Sequence, residues 1–156
     1  MRRPLQRCLL VAWLAGAAGC VDTSSRCHTP ATWKPCPGAA AEPGAGGTPP
    51  TIVLLSLPTC AYLETPSAAG MLHVTDPEAD AQVVKASFYA GGRVNEAELQ
   101  LDDAHRSAAD WSGGLSIGAP DAMANGAERT FDVRIKVADR AGNQSAPMCN
   151  TFSLIR

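Results

Sequence analysis

The sequence lacks two features that mark common classes of protein. After the first twenty residues it has no second apolar run long enough to cross a bilayer, so we expect the folded part to sit in water. It has no cluster of basic residues, and ten Lys and Arg against fifteen Asp and Glu remain once the three arginines of the first segment are set aside. This balance argues against a nucleic acid as partner, because such binding depends on basic groups that neutralise phosphates.

Residues 1–19 have the composition of an export signal. Arg2, Arg3 and Arg7 give a basic start, and residues 8–19 form an apolar stretch too short to span a bilayer with ease. We expect this segment to be removed and not to fold.

The residue that follows the signal is Cys20. The small residues before it resemble the lipobox of bacterial lipoproteins. This resemblance implies cleavage before Cys20, its acylation by several chains, and a place in the bacterial cell envelope, at the outer membrane or cell surface. Two or more chains hold a protein firmly on a membrane. A second outcome stays open, because residues 15–17 form an ordinary signal-peptidase site, and cleavage after Ala17 would release a soluble secreted protein.

The number of cysteines favours lipidation. Cleavage before Cys20 leaves an odd number, and acylation removes the odd one, so that two disulfides can form among Cys27, Cys36, Cys60 and Cys149. The spacing predicts a local Cys27–Cys36 bridge and a Cys60–Cys149 bridge between the first and last strands, although four cysteines allow three connectivities. No C-x-x-C spacing occurs, so we predict a structural role for the disulfides and not a redox one.

Residues 20–50 are rich in proline and glycine, and this composition predicts a disordered tether. Within it, residues 27–36 would close as a small disulfide loop that protects the tether from proteases. An alternative function for this loop is a recognition tip built on Trp33 and Lys34. His28 beside Cys27 does not indicate a zinc site, because the segment lacks a fourth ligand.

From residue 51 onward, apolar residues recur with a period of two, which predicts half-buried strands. In residues 130–139, the side chains of Phe131, Val133, Ile135 and Val137 would line one face. Further strands are predicted at residues 52–57, 71–74, 83–91, 98–101, 111–117 and 148–154, with at most one turn of helix near residues 103–108 and a loop at 120–126. About seven strands in one domain, residues 51–156, predict an all-β fold, a single immunoglobulin-like antiparallel sandwich.

Two short motifs carry a family resemblance. Residues 137–147 (VADRAGNQSAP) resemble the end of the penultimate strand and the last turn of bacterial Ig-like and fibronectin-III-like modules. Residues 74–80 (VTDPEAD) resemble a turn of cadherin-like and bacterial Ig-like repeats. A central cysteine pair around a buried Trp is absent and Phe131 carries no hydroxyl, which disfavours an antibody-type domain.

The same two turns hold the candidate metal ligands. Asp76, Glu78 and Asp80 offer oxygen ligands at alternate positions, and Asp139 and Asn143 lie on the second turn. The resemblance to cadherin-like modules implies calcium. The alternative is that the acidic side chains shape the turns through hydrogen bonds to the backbone, with no cofactor bound.

No set of residues indicates catalysis. His73 and His105 accompany no recognisable nucleophile motif, and the adjacent Asp102 and Asp103 point to opposite faces if they lie on a strand. We therefore expect no enzyme but a binding or scaffolding module whose partner is an envelope protein or a glycan. The alternatives are an accessory or adhesion domain that binds carbohydrate, and one that calcium stabilises. An exposed aromatic platform would favour glycan, and a long unpaired edge strand would favour strand addition by a protein.

Overall fold

The computed structural model describes Cys27, residues 29–119 and residues 130–155. The predicted signal, Cys20, His28 and the predicted loop at residues 120–126 lie outside these described residues. Within them, no helix is both long and apolar enough to span a membrane.

The described residues form eleven strands, seven of them long and four short. The long strands are β3 (Thr51–Leu57), β5 (Ser67–Thr75), β6 (Ala81–Ala90), β7 (Arg93–Gln100), β9 (Asp110–Gly118), β10 (Thr130–Asp139) and β11 (Met148–Ile155). The short strands are β1 (Ala31–Thr32), β2 (Lys34–Pro35), β4 (Cys60–Tyr62) and β8 (Arg106–Ser107). The stretch predicted to hold at most one helical turn contains a turn and β8.

The strands form two sheets that face each other. The first sheet has the order β1-β3-β5-β9-β8 and the second the order β2-β11-β10-β6-β7. The long strands pair antiparallel, and only the short β4 joins β11 in parallel. The prediction of a single all-β, immunoglobulin-like antiparallel sandwich with about seven main strands is confirmed.

The core lies between the inner faces of the two sheets. In β10, buried and solvent-facing side chains alternate over most of the strand, as the period-two pattern predicts. The apolar side chains of β6 and β9 that the pattern placed inside are buried as well. These inward residues are Val84, Ala86, Phe88, Trp111, Leu115, Ile117, Phe131, Val133, Ile135 and Val137.

The prediction of a tether over residues 20–50 is wrong within its described part. Strand β1 extends the first sheet by pairing with β3, and β2 extends the second by pairing with β11. Between them, Trp33 is 3% exposed and belongs to the core. The prolines do not prevent this, because both strands are only two residues long and lie at sheet edges, where proline is tolerated.

All four predicted cysteines form disulfides, but the expected pairing is wrong. Cys27 is bonded to Cys60 and Cys36 to Cys149. The physical reason is the pairing of β2 with β11: Lys34 lies opposite Cys149 and brings Cys36 to it, whereas Cys60 lies opposite Ser153, further along the same strand. Each cysteine therefore meets a partner on a neighbouring strand and not its neighbour in sequence.

Candidate functional site

Three carboxylates meet at one end of the sandwich. Asp76 follows β5, Asp80 precedes β6, and Asp139 is the last residue of β10. One oxygen of each lies within 4.8 Å of the other two. The two turns that hold them are distant in sequence and adjacent in the fold. We call these three residues the acidic cluster.

Two of the three carboxylates shape the turns that hold them. Asp76 Oδ2 accepts hydrogen bonds from the backbone N–H of Asp80, at 2.8 Å, and of Ala81. Asp139 accepts one from the backbone N–H of Asn143 at 2.8 Å and one from its side-chain amide at 2.6 Å. Asp76 and Asp139 therefore have a structural role whether or not they bind an ion, and a carboxylate with two such bonds retains lone pairs for one.

Asp80 differs from its two neighbours. Its Oδ1 atom is buried and has no hydrogen-bond partner among the described residues. Loss of water around this carboxyl, together with the negative charges of Asp76 and Asp139, raises the pKa of Asp80 above its ordinary 3.8. A proton or a cation at this position would relieve the repulsion.

Part of the N-terminal segment packs over this end of the sandwich. Asn143 accepts a hydrogen bond from the Gly44 N–H at 2.5 Å and donates one to the Gly46 carbonyl at 2.6 Å. A Cβ on Gly44 would lie 2.4 Å from the Ala141 carbonyl oxygen, so this close approach requires glycine. Sequence reasoning missed this contact, because a Pro/Gly-rich composition is shared by flexible linkers and by segments that pack closely.

The five predicted oxygen ligands lie near one another but are not equivalent. Asn143 is bound to Asp139, whereas Glu78 is exposed and accepts a hydrogen bond from the Thr48 N–H at 3.1 Å. Glu78 is not part of the acidic cluster. The donor set suited to calcium is therefore the three carboxylates of the acidic cluster, because Asn143 directs its amide nitrogen to Asp139 and its amide oxygen to the Gly44 N–H.

Both described candidate histidines are paired with aspartates. His73 Nε2 lies 3.4 Å from Asp110 Oδ1 on the outer face of the first sheet, and His105 Nδ1 lies 2.7 Å from Asp102 Oδ1. The hydrogen bond from His105 lowers the pKa of Asp102. In the described part of the chain neither ring is hydrogen-bonded to a serine, threonine or cysteine side chain, so no nucleophile is held against a base.

The two tryptophans in the described residues do not form an exposed platform. Trp33 and Trp111 are each 3% exposed, and their indole N–H groups donate to the carbonyls of Leu57 and Asp102. The alternative of a recognition tip at Trp33 and Lys34 is therefore wrong, since Trp33 lies in the core. Tyr89 is half-buried, with the Arg134 guanidinium 4.9 Å from its ring centre.

Comparison with known proteins identifies similarity among solved structures alone. No protein-family model matches the chain, and no curated protein does. Among solved structures, the chain is similar to a Niemann-Pick type C2 protein from Japanese carpenter ant, with a TM-score of 0.44 and 6% identity, over 79% of this chain and 98% of that chain. Similarity at this level implies no shared ligand or activity.

Proposed function

We propose that the protein is a non-catalytic binding module of the bacterial cell envelope, held on a membrane by acyl chains on Cys20. The observation that supports this proposal best is the Cys27–Cys60 disulfide, which fixes the chain to one end of the sandwich only seven residues after Cys20. Stable disulfides suit an exported protein, because cytosolic thiols are kept reduced. The absence of a nucleophile beside His73 or His105 among the described residues supports a role without catalysis.

The disulfide changes how the module would be displayed. Seven residues reach at most about 25 Å when fully extended, so the end that carries Cys27 would stay close to the membrane. Strand β10 runs from this end to the acidic cluster and, at ten residues, covers about 33 Å. The acidic cluster would therefore face away from the membrane, toward partners in the surrounding space.

The anchor is tested by replacing Cys20. We expect the wild-type protein to partition into detergent and the C20A variant to move to the aqueous phase, because the variant cannot be acylated. Phase partition with intact-mass measurement of the mature chain checks this. A mature chain that starts at Ala18 without acyl mass would contradict the anchor and indicate a released protein.

The display geometry has a separate test. Neutron reflectometry of the acylated protein on a supported bilayer should show protein density that ends within about 60 Å of the membrane surface. Insertion of a flexible Gly/Ser segment before Cys27 should extend the layer. A wild-type layer as extended as that of the insertion variant would contradict display close to the membrane while leaving the anchor intact.

A second candidate property is stabilisation by calcium at the acidic cluster. The specific observation in its favour is the buried Oδ1 of Asp80, which has no hydrogen-bond partner in the described part of the chain and lies beside two further carboxylates. A carbohydrate-binding role is less well supported, because Trp33 and Trp111 are buried. Calcium would offset the mutual repulsion of the carboxylates and hold the two turns together.

Calcium should raise the melting temperature of the wild-type protein at pH 7. Extracellular modules bind calcium with Kd values of about 0.1 to 1 mM, so 10 mM calcium would stabilise the fold by about 1.4 to 2.7 kcal/mol. The D80N variant should lose this response, while the variant E78Q, altered outside the cluster, should keep it. Calorimetry in calcium, magnesium and EGTA checks the prediction, and an equal response of wild type and D80N would contradict it.

The pH dependence follows from the raised pKa of Asp80. Without calcium, the contribution of this group to stability is greatest below its ordinary pKa of 3.8 and is lost as the pH rises through the higher folded-state pKa. Calcium should therefore raise the stability of the folded protein most at neutral pH and least in acid, where the Asp80 carboxyl binds a proton instead. Removal of the charge by D80N should make the calcium-free protein at least as stable as wild type at pH 7.

A further inference from the structure

Among the described strands, β7 forms an open edge of the second sheet. In the part of the chain that the structure describes, its eight residues pair only with β6. The opposite edge of the same sheet is covered by β2 and β4, which join β11. An open strand of this length offers unpaired backbone groups to another chain.

The direction of these backbone groups follows from the pairing with β6. The Leu101 N–H donates to the Gln82 carbonyl at 2.8 Å, and hydrogen-bonded pairs alternate with non-bonded pairs along an antiparallel ladder. Residues 95, 97 and 99 therefore direct their backbone groups to β6. The N–H and carbonyl groups of Val94, Glu96 and Glu98 point away from β6, toward the open edge.

The outer face of β7 is acidic. Glu96 lies opposite Ser87, whose hydroxyl donates to it at 3.3 Å, and Glu98 lies opposite Lys85, with 3.4 Å between the charged atoms. A strand added on the other side of β7 would place its own residues beside these two carboxylates. Because opposite charges favour cross-strand pairs, lysine or arginine fits these positions.

The inner face of β7 is apolar and incompletely covered. Leu99 is 37% exposed although its register with the buried Val84 places it on the inner face. A cleft of about 60 Å³ lies here between β7 and β9, lined in part by Ala97, Leu99 and Ile117. Small apolar side chains of an added strand would fill this cleft and cover Leu99.

The charges on β7 disfavour a second copy of the same chain as occupant. Two antiparallel registers match the faces of two β7 strands and overlap seven of their eight residues. In both of them Glu96 lies opposite Glu96 or Glu98 of the other copy. Like charges in this position are destabilising.

We propose that β7 is the docking edge for an extended segment of another protein in which basic and small apolar residues alternate. This docking edge rests on the proposed function as a binding module, for which it provides the contact surface and the chemistry of the partner. Hydrogen bonds to the outward backbone groups of β7 provide affinity. The alternating contacts with Glu96, Glu98 and the cleft provide specificity.

The test uses a synthetic eight-residue peptide of alternating lysine and valine with every second amide N-methylated, so that it can add to only one strand edge. Amide NMR signals of Val94, Glu96 and Glu98 should shift on titration. A peptide with glutamate in place of lysine should bind at least tenfold more weakly. Shifts confined to Asp76, Asp80 and their neighbours would show simple attraction to the acidic cluster and would overturn the proposal.

A matched pair of variants separates backbone from side-chain contacts. Glu96→Pro removes an outward N–H without a loss of hydrogen bonds to β6, and proline is tolerated on edge strands. We expect E96P to weaken binding of the lysine peptide at least tenfold, and E96Q, which keeps the N–H, to weaken it two- to fivefold. Equal affinity of E96P and wild type would overturn strand addition. If E96P does not fold, the E98P variant and the NMR titration of the wild type test strand addition instead. Absence of peptide binding in these experiments would overturn the docking edge and leave the Cys20 anchor unaffected.

Discussion

We expect the double variant C36A/C149A to lower the free energy of unfolding by about 5 kcal/mol, the largest effect of a covalent change in this protein. The bond joins residues 113 positions apart, and a loop of this length carries a large closure entropy in the unfolded chain. A loss of this size is comparable to the total stability of many domains. Urea unfolding of wild type and variant measures it.

The matched control is C27A/C60A, whose bond spans 33 residues and should contribute about 4 kcal/mol. The two bonds interleave along the sequence, so their effects should not be additive. Non-reducing peptide mapping provides the independent check. Recovery of a peptide with Cys27 bonded to Cys36 would contradict the pairing.

The pairing could not be predicted from the sequence, for a definite physical reason. Eight residues lie between Cys27 and Cys36, a spacing that favours a local bridge if the segment stands alone. In the fold, β1 pairs with the first sheet and β2 with the second, so the segment spans the sandwich. Nothing in its composition distinguishes two-residue strands from a linker, because they are too short to show a period.

The long strands, by contrast, were predictable where one face is buried and the other is exposed to solvent. The alternation in β10 gives the bounds of the strand and its buried face. Strand β7 was predicted only at residues 98–101, because its edge position leaves most of its side chains in water and removes the alternation. The edge position that would make β7 available to a partner is thus also the reason why the sequence does not indicate the whole strand.

The candidate metal ligands were predictable as a group but not in their separate roles. Turn residues at the ends of β5 and β10 could be expected to meet, and they do. That Asp76 and Asp139 are bound by backbone N–H groups, and that Asp80 Oδ1 is not, depends on the local course of each turn. This difference makes Asp80 the residue whose replacement tests the site.

Replacement of Trp33 by alanine should lower the free energy of unfolding by about 3 to 5 kcal/mol, the usual cost of removing a large aromatic side chain from a core. Trp33 is 3% exposed, and its indole N–H donates to the Leu57 carbonyl at 3.2 Å, so the variant loses both buried apolar area and a hydrogen bond. The neighbouring variant K34A changes an exposed side chain and should stay within about 0.5 kcal/mol of wild type. W33F should fall between the two, because it keeps most of the ring volume and lacks the donor. Equilibrium urea unfolding of the oxidised proteins compares all three, and a W33A variant as stable as K34A would mean that residues 29–50 are a tether after all and not part of the sandwich.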